Sequence, residues 1–321
     1  MDCKDCLYYR EDFKEQENDI FLKYNRYCDC GFRESVMTPD EDDCYYYHKS
    51  VVNVLKDIEK EYKVRIIYAV ESGSRAWGFD NEDSDYDIRF IFKYTNLSDY
   101  LRLSPKKEVI TYEDGLYDIV GWDIRKAYFL HYKNNPSLRE WMLSDYRYID
   151  KENIFEYLPA FHLYGLLHHY FNMAKNNWND YCEGRGRWLN TDLEYSIIKK
   201  YLYVIRCILT WNLLYESEDV NLPQLNIFNL LEQCKGSIIT DDIYNDIVCF
   251  IDKYKYKKDC LSYTNIDNIN DYVVDNLRNM KSKTLKSVYN KNDKNFEVYN
   301  KAFYNNIVDN MVLLGYTKIG E

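Results

Sequence analysis

Apolar and charged residues alternate at helical spacing through YHKSVVNVLKDIEKEYK, residues 47–63, which predicts an amphipathic helix. The run VRIIYAVESGS, residues 64–74, then reads as a buried strand that enters a turn. RAWGFDNEDS, residues 75–84, reads as a loop or short helix. Three further strands are expected, in DYDIRFIFKY (85–94), EVITYED (108–114) and LYDIVGWD (116–123). IRKAYFLHYKNNPSLREWML, residues 124–143, returns to a helical period, and Asp123 stands where a helix N-cap belongs. Beyond residue 150 helical periodicity dominates, with few prolines or glycines to interrupt it.

Three regions follow from this pattern: a cysteine-rich module over 1–47, an α/β domain over 48–150 and a helical domain over 151–321. The net charge of −11 argues against a general polyanion-binding coat, so contact with nucleic acid or nucleotide must come from a local basic patch or from metal ions. The 35 tyrosines are spread along the chain rather than set in a repeat, so they mark composition and not a binding stripe. No apolar window reaches membrane-spanning length, and the charged start MDCKDCLYYRED lacks the apolar core of a signal peptide. A cytoplasmic location is therefore expected.

The stretch GSRAWGFDNEDSDYDIRFIF, residues 73–92, concentrates the candidate chemistry. Side chains two apart on a strand share a face, so Asp85 and Asp87 project together. Two such carboxylates repel unless a divalent cation lies between them, and hard oxygen donors suit Mg²⁺ or Mn²⁺. Asp118, from a neighbouring strand, supplies a third carboxylate. Gly73 lets a phosphate approach the backbone, and the Ser74 hydroxyl can hold phosphate oxygens. Arg75 can add a charge-assisted contact, or serve as a packing arginine. A bare Asp-x-Asp is weak evidence, and an acidic surface loop is the competing explanation. The ordered combination of strand, Gly-Ser, acidic loop, Ser-Asp-x-Asp and apolar strand is much more specific.

These residues resemble the DNA polymerase beta-like nucleotidyltransferase superfamily. GSRAWG with SDYDIR resembles more closely its RlaP group, associated with RNA repair, and the similarity extends from about residue 50 to 230. The resemblance implies an α+β fold: a mixed-sheet nucleotidyltransferase core followed by a helical domain. It further implies that Asp85, Asp87 and Asp118 bind the catalytic metal and that Gly73 and Ser74 form the nucleotide-phosphate turn. Asp123 competes with Asp118 for the third place, but a helix cap already explains Asp123.

In TDLEYSIIKKYLYVIRCILTWNLLYES, residues 191–217, Lys199, Tyr203 and Arg206 share a helix face, with Lys200 beside them. The resemblance supports Lys200, Tyr203 and Arg206 as a triphosphate-facing stripe; a solvated helix edge is the alternative. The adjacent His168 and His169 cannot face the same way and are expected in the core or a groove. YKYKK and KSKTLKSVYNKNDK are basic with interleaved tyrosines, a composition that suits RNA phosphates and also a solvated surface.

Half of the ten cysteines lie before residue 47. In a reducing compartment, clustered cysteines point to metal rather than disulfides. The segment is similar to small modules that hold Zn²⁺ through four thiolates, which implies Cys3, Cys6, Cys28 and Cys44 as ligands, with Cys30 able to replace Cys28. An iron–sulfur cluster is the alternative occupant. The expected reaction moves a nucleoside monophosphate from an NTP, with ATP the expected donor, to a hydroxyl on RNA or protein. A protein AMP-transferase of the antitoxin type and a catalytically silent nucleotide- or RNA-binding module are the two rivals.

Overall fold

The computed structural model describes residues 9–12, 25–28, 50–81, 83–184, 194–221, 224–256, 266–286 and 295–312. The chain divides into two compact units, residues 1–66 and 67–321. The first holds an antiparallel pair, β1 (Tyr9–Asp12) and β2 (Asn25–Cys28), then α1 (Val51–Tyr62) and the start of β3 (Val64–Glu71). The apolar stripe Val51, Val54, Leu55 and Ile58 is the buried face of α1, as its periodicity predicts. Lys63, in the left-handed region at φ 54°, closes the helix, and the Glu59 carboxylate accepts from the Ile66 N–H at 2.7 Å.

Among the described residues of the larger unit, α2 (Gly73–Trp77) leads to β4 (Tyr86–Tyr94). A hairpin of β5 (Val109–Glu113) and β6 (Tyr117–Asp123) follows. The sheet order is β5-β6-β4-β3-β7, with β4 and β6 parallel and β5 antiparallel to β6. The hairpin turn explains the register. Gly115 takes φ 86°, and the Asp114 carboxylate accepts from the backbone N–H of Leu116 and Tyr117. That turn delivers Asp118 opposite Asp87 and Gly121 opposite Phe90.

The edge strand β7 (Arg147–Asp150) pairs antiparallel with β3. It is four residues long and none of them is buried, so it carries no hydrophobic alternation that a sequence pattern could reveal. The helical run after Asp123 is two helices rather than one, α3 (Ile124–Tyr132) and α4 (Pro136–Met142). Proline has no N–H and disfavours helical backbone in the residue before it. Asn135 is accordingly extended at φ −65° and ψ 121° and caps the new helix by accepting from Leu138 N–H, while Asn134 before it turns to φ 57°. Asp123 caps α3 by accepting from Arg125 N–H at 2.8 Å.

The helical segment comprises α5 (Leu163–Asn177), α6 (Glu194–Ser217), α7 (Ile227–Cys234), α8 (Asp241–Tyr256), α9 (Ile266–Lys286) and α10 (Phe296–Val312). α6 is apolar on most sides because helices surround it: Tyr201, Leu202, Ile205, Ile208 and Trp211 are all fully buried. Phe79, from the loop after α2, is buried in this same core. α10 packs Tyr299, Ala302 and Ile307 with Ile67, Val70 and Ile91 of the sheet and Ala127 of α3. The sheet and the helices that the pattern divides at residue 150 thus share one unit. No helix among the described residues is long and apolar enough to cross a membrane. His168 and His169 are not core residues: both are exposed on α5, with His169 Nε2 3.3 Å from the Lys133 carbonyl.

Gly121 tests the sheet register. A Cβ there would lie 2.1 Å from the Phe90 ring, which is wholly buried. Gly121→Ala is expected to cost about 1–3 kcal/mol by overpacking, read as a lower urea midpoint. An unchanged midpoint contradicts the register.

Candidate active site

Strand period and parallel register together bring Asp87 of β4 beside Asp118 of β6. Arg89, two residues beyond Asp87 on the same face, lies between them. Its Nη2 donates to Asp87 Oδ1 and to Asp118 Oδ2, each at 2.8 Å, while Nη1 donates to the Asp118 backbone carbonyl at 2.7 Å. Asp118 keeps 42% of its side chain exposed and Asp87 only 16%. Asp85 enters the strand one step before Tyr86, close enough that its charge bears on Asp87.

Gly73 sits at φ 59°, and a Cβ there would fall 1.7 Å from Asp87 Oδ2. The missing side chain is what lets the carboxylate lie against the turn. The turn is tied to the strand by Ser72 N–H, which donates to the Asp87 carbonyl at 2.8 Å. Ser74 is buried, and its hydroxyl has no hydrogen-bond partner among the described residues.

Behind Asp87 lies a second carboxylate that the sequence reading did not single out. Glu71 ends β3, is 2% exposed, and accepts from Asp87 N–H at 3.0 Å and from the Tyr148 hydroxyl. Burial pushes its pKa up to about 7; the Tyr148 hydrogen bond and the Arg75 charge oppose this without cancelling it. Asp87 is pushed up to about 6, first by burial, against Arg89 and reinforced by Asp85 and Asp118. The site therefore concentrates negative charge in a place where one guanidinium does not fully compensate it.

That arrangement bears on whether a divalent cation fits. The donors are carboxylate oxygens, and positive charge already bridges two of them. Among the described residues no group of three or more His, Cys, Asp or Glu side chains converges on one point. A prebuilt cage is therefore absent from these residues. Mg²⁺, which commonly takes one or two carboxylates and completes its shell with substrate phosphates and water, does not need one.

Residues 47–294 match the family described as "RlaP: RNA repair pathway DNA polymerase beta family". The chain belongs to the RlaP family. It is also 42% identical over 165 residues to "Uncharacterized protein YcgL" of Bacillus subtilis (strain 168), a match that covers 50% of this chain and 60% of that protein. The α+β architecture with its mixed sheet fits a polymerase beta-like core, and RlaP membership supports a nucleotidyltransferase.

In this RlaP chain the other expected nucleotide contacts separate into distinct environments. Arg75 clamps the strand entry: Nε donates to the Asp85 carbonyl at 3.0 Å, Nη2 to the Ser84 carbonyl at 2.8 Å, and its guanidinium lies over the Tyr86 ring. Tyr203 reaches the cleft and meets Trp77 edge-on, ring centroids 5.0 Å apart. Lys200 lies over the rings of Tyr181 and Tyr203. Its neighbour Lys199 is the lysine that feels Asp85 and Asp87. Burial works against its charge, but Tyr203, Tyr254 and the two carboxylates outweigh burial and raise its pKa. Arg206 does not belong to a solvent-facing stripe. It is 2% exposed and donates to both oxygens of Glu140, because the third residue of the stripe falls where α6 meets α4.

Asp123 is occupied as a cap and also accepts from the Tyr100 hydroxyl at 2.8 Å, which leaves Asp118 as the carboxylate beside Asp87. Cys3, Cys6, Cys30 and Cys44 lie outside the described residues; Cys28 ends β2. Cys182, Cys207 and Cys234 are buried thiols, and burial pushes Cys207 and Cys234 up to about 12, far from thiolate chemistry.

Glu71→Gln tests the buried carboxylate. A carboxyl raised from 4.5 to about 7 by folding contributes stability fully present below about pH 4.5 and lost as pH rises through 7. The amide removes that pH dependence. Its melting temperature relative to wild type is expected to improve between pH 5 and pH 8 by the equivalent of about 3 kcal/mol at most. A difference that does not change with pH contradicts the assignment.

Proposed function

We propose that the chain is a metal-dependent nucleotidyltransferase that moves a nucleoside monophosphate from an NTP to a hydroxyl acceptor and releases pyrophosphate, with RNA as the acceptor. The observation that carries this reading is the opposed pair of Asp87 and Asp118, seated against a glycine turn with no Cβ to obstruct it. Membership of an RNA repair polymerase beta family supports both the reaction class and the acceptor.

Asp85 and Asp87, joined by Asp118, would hold Mg²⁺ or Mn²⁺, which supplies charge neutralisation at the phosphates and a lower acceptor pKa. The chain's own residues do the remainder. Gly73 admits the triphosphate close to the backbone, and the Ser74 hydroxyl, buried without a partner among the described residues, would donate to a phosphate oxygen that reaches the turn. Lys199 offers a cation near the same carboxylates. Arg75 holds the Ser84–Asp85 loop, so that Asp85 is delivered in register.

In the transfer, the acceptor oxygen forms a bond to the α-phosphorus and the bond from that phosphorus to the bridging oxygen breaks. Pyrophosphate leaves with that electron pair, and Asp118, the more exposed carboxylate, takes the hydroxyl proton. Arg89 must release Asp118 for this. Its guanidinium then has a phosphate oxygen as the natural replacement partner.

The test is incubation with α-labelled NTPs, Mg²⁺ and either RNA or protein acceptors. Label on RNA is expected; label on protein supports an AMP-transferase of proteins, and nucleotide binding without pyrophosphate release supports a silent module. Asp87→Ala is expected to reduce transfer by roughly 10³-fold or more. Asp123→Asn, a change at the helix cap, should retain transfer. Full activity of the Asp87 variant overturns the site.

A further inference from the structure

Beside the carboxylates the cleft opens into a cavity of about 360 Å³, lined among others by Trp77, Trp122, Glu140, Trp141, Met173 and Tyr203. Asp118, Val120 and Trp122 alternate along β6, so one face of the sheet leads from the carboxylates into this cavity. The distance along the strand from Asp118 to Trp122 is on the order of 13 Å. Trp122 and Trp141 stack with centroids 3.8 Å apart and 28° between planes, and Trp77 meets Tyr203 edge-on. Volume and aromatic lining suit a planar group of nucleobase size.

Glu140 is the charged group in that aromatic wall, and it is 4% exposed. Its position is fixed from behind. Arg206 Nη1 donates to Oε1 at 2.9 Å and Nη2 to Oε2 at 3.2 Å, and the Tyr170 hydroxyl donates to Oε1 at 3.2 Å. Arg206 in turn lies over the Trp77 ring at 4.0 Å. α4 is held in place by Arg139, whose Nε and Nη2 donate to the Val220 carbonyl at 2.9 and 2.6 Å. A carboxylate offers about four acceptor positions, so three donors leave one on Oε2. The Trp77 indole N–H is also buried without a partner among the described residues. Burying an ion pair gives little stability over an apolar core of the same shape, so packing alone does not account for it.

We propose that this cavity is the nucleobase subsite for the NTP and that Glu140 selects bases with an exocyclic amine at the purine 6- or pyrimidine 4-position. Adenine and cytosine present an N–H there to the carboxylate. Hypoxanthine and uracil present a carbonyl oxygen at that position, which the carboxylate repels, and their nearest N–H lies one ring atom away, off the position set by Glu140. The proposal rests on the nucleotidyltransferase reading and adds to it the part of the substrate that the metal site does not touch.

Isothermal titration of the full chain with ATP, CTP, ITP and UTP in Mg²⁺ tests it. ATP is expected to bind at least roughly tenfold tighter than ITP, and CTP than UTP, the scale of one hydrogen bond to a charged group. Equal affinities overturn the base subsite and leave the transferase reading standing. No Mg²⁺-dependent binding of any of the four overturns both. Glu140→Gln keeps the shape and can turn an N–H toward the base, so the ATP-to-ITP ratio should fall toward one or invert. An unchanged ratio overturns the role of Glu140. If that variant fails to fold, Trp122→Leu supplies the second test. It should weaken all four nucleotides by roughly tenfold while keeping their ratios, and unaltered binding overturns the aromatic wall.

Discussion

Two carboxylates face each other across parallel strands, and a single guanidinium keeps them together. The Asp87–Arg89–Asp118 bridge is the feature to which the surrounding structure is fitted. The hairpin turn at Asp114 sets the register of Asp118, Gly73 gives up a side chain to admit Asp87, and Glu71 fixes the Asp87 backbone from behind. Each of these features has a local cost: a left-handed glycine, a buried acid, a carboxylate held above its ordinary pKa. Buried charge and shifted pKa values gathered in one place are characteristic of functional sites.

The helical segment backs the site. The buried Glu140–Arg206 pair joins α4 to α6, and Phe79, six residues after Gly73, is seated in the helical core. The turn at Gly73 and Ser74 is thus braced by the same helices that supply Tyr203 and Lys199. A polymerase beta-like sheet alone would present the carboxylates; the helices give the cleft a second wall with its own chemistry.

Much of this was legible in the sequence, for identifiable reasons. Period-two alternation drew attention to Asp85 and Asp87; Asp87 lies in β4, and Asp85 stands just before it with its charge bearing on Asp87. The cap signal on Asp123 favoured Asp118 as the third carboxylate, and the two strands that bring Asp118 to Asp87 were found. Arg89 was readable by the same alternation, since it follows Asp87 by two. Helical spacing revealed that Lys199, Tyr203 and Arg206 share a face but not what covers it, and α4 covers the Arg206 end. Pro136 signalled a break that apolar periodicity hid. Glu140 and β7 gave no local signal, because a buried ion pair between residues 66 positions apart and a short edge strand are both products of tertiary contact.

The central claim is that divalent cation and nucleotide replace Arg89 between the two carboxylates. Crystals grown with Mn²⁺ and a non-hydrolysable NTP measure this directly through the manganese anomalous signal. The account predicts a peak within coordination distance of Asp87 and Asp118, with the Arg89 guanidinium moved onto a phosphate. Nucleotide bound elsewhere, with Arg89 still bridging both carboxylates and no manganese beside them, would contradict it.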